Sequence, residues 1–247
     1  MDLGLTGRTF VATGSSRGLG RAVADELVAE GANVVIASRD AGRARRVANA
    51  LGDQAHGVHV DLRNPAAGVE LAEEARNRFG ALHGAVVNHW GPPSGGALEV
   101  TDEAVAAALD VGVGAVVRLV RDIGTGLQEG GAMLVVGSVT VRESADALVG
   151  SNVSRPGAWA YIKQASRPLG ERGIRVNMLL PGAFATERLR ELSGGVAEDS
   201  AFVRDVPLGR AGRPEEFGRV GAFLLSPMSS YVTGASLVID GGSSRSL

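Results

Sequence analysis

The chain alternates short apolar runs with longer segments of helical spacing, and this alternation constrains the fold more than any other feature. Seven runs are apolar at nearly every position, as in parallel strands that helices cover on both faces. These runs are residues 7–14, 33–38, 55–60, 82–88, 132–138, 174–180 and 236–240. Segments such as 19–30 and 102–127 place apolar residues at helical intervals. The pattern predicts an α/β fold in which seven parallel strands form one doubly wound sheet with helices on both faces.

No linker or change of composition divides the chain, so residues 1–247 are predicted to form a single domain. One segment, 183–212, departs from the alternation of strands and helices. We expect it to be a mobile loop with short helices at the carboxyl ends of the strands, where open α/β sheets bind ligands. Pro214 is well placed to be the first residue of the helix that follows.

Composition and charge exclude several classes of protein. The formal charge is −2 and the basic residues are spread along the chain, which argues against nucleic-acid binding. No run approaches the ~18 apolar residues of a membrane span, and the first residues lack the pattern of a signal peptide. The chain has no cysteine, and its four histidines lack the spacing of metal ligands. We therefore expect a cytoplasmic, soluble protein with a small-molecule substrate, no membrane or nucleic-acid partner and no metal.

A glycine-rich turn, TGSSRGLG at 13–20, directly follows the first predicted strand. Its glycines allow a sharp bend, a close approach of the backbone to a pyrophosphate, and close packing of the next helix, whose N-terminus favours an anion. A turn with only a structural role could carry the same glycines. Its position at the start of a long βαβ series favours a dinucleotide-binding turn.

With three further motifs, this turn resembles the short-chain dehydrogenase/reductase family. TGSSRGLG is similar to the family's TGxxxGxG, Asp61-Leu62 to its adenine-contacting Asp, PGAFAT at 181–186 to its PGxxxT, and 209–242 to its C-terminal portion. The resemblance covers essentially the whole chain and is strongest to 3-oxoacyl-carrier-protein reductases. It implies a Rossmann-type domain, a homodimer or homotetramer, and a nicotinamide cofactor. The residues that it implies for cofactor binding are Gly14, Ser16, Arg17, Gly18, Leu19, Gly20, Arg39, Asp61, Leu62, Asn88, Gly91, Pro181, Gly182 and Thr186.

Two arginines bear on the choice of cofactor. An NAD-preferring site holds an acid after the second strand to bind the ribose 2′-hydroxyl, whereas this chain has Arg39, which suits a 2′-phosphate. Arg17 in the turn adds a second cation nearby. These residues predict NADP(H) rather than NAD(H), against the alternative that both arginines are only solvated. If Asp40, one position later, occupied the place of Arg39, the preference would reverse.

The stretch GSNVSR at 150–155 stands where the resemblance predicts a Tyr followed four residues later by a Lys. Ser138 matches the family's serine, and the expected place of the Tyr, about a dozen residues on, is held by Ser151. Arg155 follows at i+4, so the two side chains share a helix face although both chemical types have changed. Ser138, Ser151 and Arg155 are therefore predicted to face the substrate. Tyr161 and Lys163 lie two apart and too far along the chain, and fit a packing helix better.

Other departures accompany this change. Gly112 stands where the family has an Asn on the helix after strand four, and Asn-Asn-Ala-Gly is replaced by Asn88-His89-Trp90-Gly91. We expect Trp90 either to narrow the cofactor channel or to form a stacking wall, which leaves cofactor occupancy open. NHWGPPSGG, GSVTVRES and GSNVSR resemble a divergent branch of the family with NTGGPPPG, SSVxVKEP and SNxxR, so the changes look coordinated.

The substitutions remove the usual proton donor. A phenol has a pKa near ~10, several units below that of an aliphatic hydroxyl, and loss of a positioned acid costs ~10²- to 10⁴-fold in rate. Arg155 does not release its proton, but it can stabilise an alkoxide or bind a carboxylate or phosphate bidentately. His89 suits proton transfer near neutrality, or a role as a loop hydrogen-bonder. The hypotheses are an NADP(H)-dependent oxidoreductase acting on a carbonyl or secondary alcohol, a catalytically silent protein that binds a nucleotide or metabolite, and a non-redox elimination or isomerisation.

Overall fold

The computed structural model has the predicted α/β architecture. It describes residues 2–89, 91, 92, 94–195 and 201–246. Seven parallel strands form one sheet in the order β3-β2-β1-β4-β5-β6-β7. The strands are β1 (Thr9–Thr13), β2 (Asn33–Ser38), β3 (Ala55–His59), β4 (Gly84–Val87), β5 (Ala132–Val136), β6 (Arg175–Pro181) and β7 (Ser236–Ile239). Each lies within one of the predicted apolar runs or extends one by a single residue, which confirms the fold class.

Helices connect the strands on both faces of the sheet. Within the described residues they are α1 (Gly18–Ala29), α2 (Ala41–Leu51), α3 (Ala67–Phe79), α4 (Asp102–Leu109), α5 (Val116–Gly126), α6 (Val149–Gly170), α7 (Glu187–Leu192), α8 (Ala201–Arg204) and α9 (Pro214–Leu225). A π-helical turn, Asp110–Ala115, joins α4 to α5, so the predicted long helical segment is continuous. Pro214 begins α9, as predicted, and the Arg213 backbone N–H donates to Glu216 Oε2 at 2.7 Å.

The five inner strands of the sheet are buried on both faces because they are largely apolar at successive positions, whereas the edge strands β3 and β7 are mostly only partly buried. On one face, Val11 of β1 and Val35 of β2 pack with apolar residues of α3, α5 and α6. On the other face, Phe10 and Ile36 pack with residues of α1, α2 and α9, among them Phe217. Two core layers therefore hold the sheet rigid, and its carboxyl edge is the edge that carries the candidate site.

The sheet reverses its direction of growth between β1 and β4. The chain moves outward from β1 to β2 and β3, and then returns to place β4 on the other side of β1. Open α/β sheets form a ligand crevice at such a switch point, outside the carboxyl ends of the strands. Thr13, at the end of β1, joins the two strands here, since its Oγ1 donates to the Asn88 carbonyl at 2.7 Å and accepts from the Asn88 N–H at 2.9 Å.

The described residues of the segment 183–212 form a flap over this edge. Its two ends are hydrogen-bonded to each other: the Ala185 N–H donates to the Gly212 carbonyl at 2.8 Å, and the Gly212 N–H donates to the Ala183 carbonyl at 2.9 Å. Its described residues include α7 and α8. Residues 196–200 lie outside the described residues, and the mobility of the flap stays a prediction. In the part of the chain that the structure describes, no helix is long and apolar enough to cross a membrane.

Candidate active site

A cleft of about 560 Å³ opens at the carboxyl ends of the central strands, beneath the flap. This volume lies within the range of ~300–1,000 Å³ that is usual for small-molecule sites. A smaller cavity of about 270 Å³ lies beside it, at the turns that follow β2 and β3. The two cavities share Gly14, Arg17 and Arg39 in their linings, so together they form one elongated depression.

The residues predicted from sequence converge on this depression. Those that line the larger cleft are Gly14, Arg17, Gly18, Leu19, Arg39, Asn88, Gly91, Ser138, Ser151, Arg155, Pro181, Gly182 and Thr186. The smaller cavity adds Ser16, Asp61 and Leu62. Gly20 lines neither cavity, because it packs behind the turn against Asn88. Trp90, which we expected to narrow the cofactor channel or to form a stacking wall, lies outside the described residues.

The turn after β1 presents its backbone to the cleft. Gly14 has a φ of 56°, and a Cβ there would lie 2.8 Å from the Asn88 carbonyl oxygen, so only glycine fits without strain. Asn88 Nδ2 donates to the Gly14 carbonyl at 2.9 Å and fixes the bend. Gly18, with a φ of 62°, begins α1 and has open space where its Cβ would be. This open cradle at a helix N-terminus fits a pyrophosphate group.

The outer end of the depression is rich in arginine. Arg39 lines both cavities, and the Ser38 and Ser16 hydroxyls lie 3.0 Å apart beside it. Asp40 caps α2, where its Oδ1 accepts from the Arg43 N–H at 2.8 Å. This backbone hydrogen bond lowers the pKa of Asp40.

Asp61, the expected adenine contact, forms an ion pair with Arg63, in which Oδ2 lies 2.6 Å from Nη2. The side-chain hydrogen bond from Arg63, aided by that residue's backbone N–H, lowers the pKa of Asp61 to about 2. The carboxylate is therefore charged and already held by a neighbouring cation at the rim of the smaller cavity.

At the inner end, Arg155 is buried and joins two strands. Its Nη1 donates to the Val136 carbonyl at the end of β5 at 2.9 Å, and it lies 2.8 Å from Nε2 of His89, which follows β4. A guanidinium has only donors, so His89 Nε2 is the acceptor and its proton is on Nδ1. His89 is thereby held as a neutral ring that orients Arg155.

The rest of GSNVSR packs against the other altered motifs. Asn152 makes two hydrogen bonds to the backbone of Ala145. The Ala145 N–H donates to Asn152 Oδ1 at 3.1 Å, and Asn152 Nδ2 donates to the Ala145 carbonyl at 2.9 Å. A Cβ on Gly150 would lie 2.7 Å from Pro92, and a Cβ on Gly112 would lie 2.6 Å from the Ser154 side chain. Ser154 thus fills the space beside Gly112, and the altered positions are spatial neighbours.

Two serine hydroxyls line the inner cleft beside Arg155. Ser138 ends the loop after β5, and its Oγ accepts from the Thr140 N–H at 3.2 Å. Ser151 lies one turn before Arg155 on α6 and is 8% exposed. Its hydroxyl makes no hydrogen bond to any residue within the described ranges, so the protein offers it neither a base nor a proton relay there.

The flap contributes charged residues that the sequence reasoning missed. Arg17 forms an ion pair with Glu187 and lies 3.8 Å from Glu191, so α7 is tied to the glycine-rich turn. Arg188 reaches across the cleft, where its Nη2 donates to the Pro92 carbonyl at 2.6 Å. Helix α7 has only six residues, too few for a clear periodic signal, and only the contacts of its charges reveal which of them reach the site.

The fold and the cleft define a doubly wound α/β protein with a dinucleotide-type turn, and comparisons with known proteins place it in a family. A profile of the family described as enoyl-(acyl carrier protein) reductase matches residues 14–244. The 3-oxoacyl-[acyl-carrier-protein] reductase FabG of Salmonella typhimurium is 29% identical over 239 residues, which cover 96% of this chain and 97% of that protein. The L-rhamnose 1-dehydrogenase (NAD(P)(+)) of Azotobacter vinelandii is 31% identical over 248 residues, with the same two coverages.

A solved structure, that of a dehydrogenase/reductase from Sinorhizobium meliloti, matches the fold with a TM-score of 0.91 at 29% identity, covering 99% of this chain and 98% of that one. The chain belongs to the short-chain dehydrogenase/reductase family and is similar to its 3-oxoacyl-acyl-carrier-protein reductases.

Proposed function

We propose that this protein is an NADP(H)-dependent oxidoreductase that interconverts a carbonyl and a secondary alcohol with a non-standard set of site residues. The observation that carries the proposal is one continuous depression with a phosphate-type turn at its middle and Ser138, Ser151 and Arg155 at its inner end. The relatives described above are named as reductases and dehydrogenases, which supports redox chemistry in this cleft.

The proposed cofactor site runs from the arginine-rich end to the two serines. Gly14, Gly18 and the start of α1 would hold the pyrophosphate, and Arg39 with Arg17 would bind the 2′-phosphate. Asp40 supports this preference, because its carboxylate caps α2 instead of replacing Arg39 as the ribose ligand. When bound, the nicotinamide supplies or accepts the hydride.

The proposed substrate site lies at the inner end of the cleft. The hydroxyls of Ser138 and Ser151 would donate hydrogen bonds to the carbonyl oxygen and orient it. Arg155 supplies positive charge that stabilises an oxyanion in this partly enclosed space. Because no phenol is present, the oxygen would take its proton from water in the cleft, and we expect slow turnover. His89 would act as a positioning residue for Arg155, since its Nε2 is already used as an acceptor.

A catalytically silent protein that binds a nucleotide or metabolite is the second candidate. The observation that favours it is the Ser151 hydroxyl, which forms no relay with any described neighbour. Such a protein would bind the nucleotide as tightly as the enzyme would, so binding and turnover must be measured separately.

Nucleotide binding tests the proposed cofactor site. Saturating NADPH, at about 100 times its Kd, is expected to stabilise the protein by about 2.7 kcal/mol, which raises Tm by about 5–10 °C in a chain of this size. NADH at the same concentration is expected to give a smaller shift. Gly14→Ala should remove most of the NADPH shift, because its Cβ would collide with the Asn88 carbonyl in the turn.

Gly7→Ala is the matched control for Gly14→Ala. Gly7 also has a left-handed φ, of 73°, but has open space around a Cβ and lies outside the cleft. It should lower the Tm of the free protein while keeping the full NADPH shift. If neither NADPH nor NADH moves the Tm of the wild-type protein, the oxidoreductase proposal is wrong.

A further inference from the structure

Two buried arginines in this protein are satisfied to very different degrees. Arg175 in β6 is 8% exposed and donates to the carbonyls of Leu224 and Ser226 and to Ser229 Oγ, at 2.7–2.9 Å. Arg155 is 6% exposed, but its two short contacts, to Val136 and His89, both use Nη1. Arg175 thus bonds to the protein through both Nη1 and Nη2, whereas Arg155 does so through Nη1 alone.

The unused part of Arg155 is one edge of the guanidinium. Nε is buried without a hydrogen-bond partner, and Nη2 makes no hydrogen bond to any residue in the described ranges. Nε and Nη2 together form the side-on edge that donates two parallel hydrogen bonds to a carboxylate. A buried donor without an acceptor costs ~1–3 kcal/mol of desolvation free energy. A ligand that supplies two acceptor oxygens to this edge would remove that cost.

The surroundings of this edge favour an anion. In the part of the chain that the structure describes, no Asp or Glu pairs with Arg155. Burial, and then the nearby Arg188 cation, lower the pKa of Arg155 to about 10, and no carboxylate contributes. The guanidinium therefore stays charged at neutral pH while lacking a counterion. Arg188 itself forms an ion pair with Glu191, in which Nη1 lies 3.5 Å from Oε2.

We propose that the substrate of this site is an oxo acid whose carboxylate binds the Nε–Nη2 edge of Arg155 while its carbonyl lies between Ser138 and Ser151. This inference rests on the proposed function and specifies its substrate class. Ser151 and Arg155 are at i and i+4 on α6, where Cβ atoms are about 6 Å apart. That spacing suits a carbonyl and a carboxylate separated by a few bonds, as in a 3-oxo acid. A guanidinium edge also binds phosphate bidentately, so inorganic phosphate is the competing ligand in the test.

The test compares acetoacetate with its neutral methyl ester, by calorimetric titration of the protein saturated with NADP⁺. The oxidised cofactor cannot reduce the ketone, so binding is measured at equilibrium. Wild-type protein is expected to bind acetoacetate about tenfold to a hundredfold more tightly than methyl acetoacetate, the range of a charge-assisted pair of hydrogen bonds. Arg155→Met should abolish this preference. Arg155→Lys, which keeps the charge and loses the planar edge, should retain part of it.

Arg172→Met is the matched control, since Arg172 follows α6 and donates to the Gly124 and Leu127 carbonyls outside the cleft. It should leave the preference for acetoacetate unchanged. Any of three results would overturn the assignment. The wild-type protein could bind acid and ester equally, it could bind inorganic phosphate more tightly than acetoacetate, or Arg155→Met could keep the full preference for acetoacetate. Should Arg155→Met not fold, the wild-type comparison and Arg155→Lys decide the question.

The NADPH titration separates this inference from the function on which it rests. If the protein binds no nicotinamide cofactor, the same titration is made without it, and an Arg155-dependent preference for acetoacetate would support the carboxylate site and contradict the oxidoreductase proposal. A protein that reduces ketones with NADPH but prefers the ester would contradict only the carboxylate site.

Discussion

The double substitution Ser151→Tyr with Arg155→Lys is expected to accelerate the NADPH-dependent reduction of methyl acetoacetate by about 10²- to 10⁴-fold, the contribution of a positioned general acid. Both positions line the cleft, so a phenol at 151 would extend toward the substrate carbonyl. A lysine one turn later would favour the phenolate and lower the phenol's pKa. The neutral ester is the appropriate substrate because the variant loses the edge proposed to bind a carboxylate. Initial rates of NADPH oxidation measure the effect.

The single variants are the controls for this gain. Ser151→Tyr alone should give a smaller increase, since Arg155 would remain bound to Val136 and His89. Restoring an Asn at Gly112 would require Ser154→Gly as well, because the Ser154 side chain occupies that space. A double variant that folds, binds NADPH and reduces the ester no faster than the wild-type protein would show that the site is not otherwise competent.

Arg39→Asp is expected to weaken NADPH binding by about 100-fold and to leave NADH binding equal or stronger, which reverses the cofactor preference. In the proposed cofactor site, the change would remove charge-assisted hydrogen bonds to the 2′-phosphate, worth ~1.5–3 kcal/mol, and would supply an acid for a ribose 2′-hydroxyl. Affinities for both cofactors, measured by calorimetry at one ionic strength, give the ratio directly.

Arg45→Asp makes the same change of charge on the exposed part of α2, outside both cavities. It is expected to leave the ratio of the two affinities unchanged. Equal weakening of NADPH and NADH by Arg39→Asp would mean that Arg39 does not contact the 2′-phosphate.

The fold was predictable from sequence because the inner strands of the sheet are buried on both faces, so these strands stand out as nearly continuous apolar runs. The spacing between Ser151 and Arg155 was informative for a similar reason, since it depends only on the period of α6, and both side chains line the same cleft as Ser138. Contacts between distant segments left no such signal. Ser154 lies against Gly112 because α6 packs on the π-helical turn, and Arg188 reaches Pro92 because the flap folds back.

His89 shows most clearly what sequence could not supply. As a residue type, it suited either proton transfer, since its ordinary pKa lies near neutrality, or a role as a loop hydrogen-bonder. Its contact with Arg155 makes Nε2 an acceptor, which favours a positioning role. The chemistry of a side chain follows here from its neighbour, which lies 66 positions away in the chain.

Deuteride transfer tests the central claim most directly. The wild-type protein would be incubated with acetoacetate and NADPH that carries deuterium at C4, using each of the two stereochemical labels in turn. One label is expected to place a single deuterium on the carbinol carbon of 3-hydroxybutyrate, as detected by mass spectrometry, and the other to place none. A protein that binds NADPH but transfers deuterium from neither label, to acetoacetate or to a broad panel of ketones, would contradict the oxidoreductase account and favour the catalytically silent one.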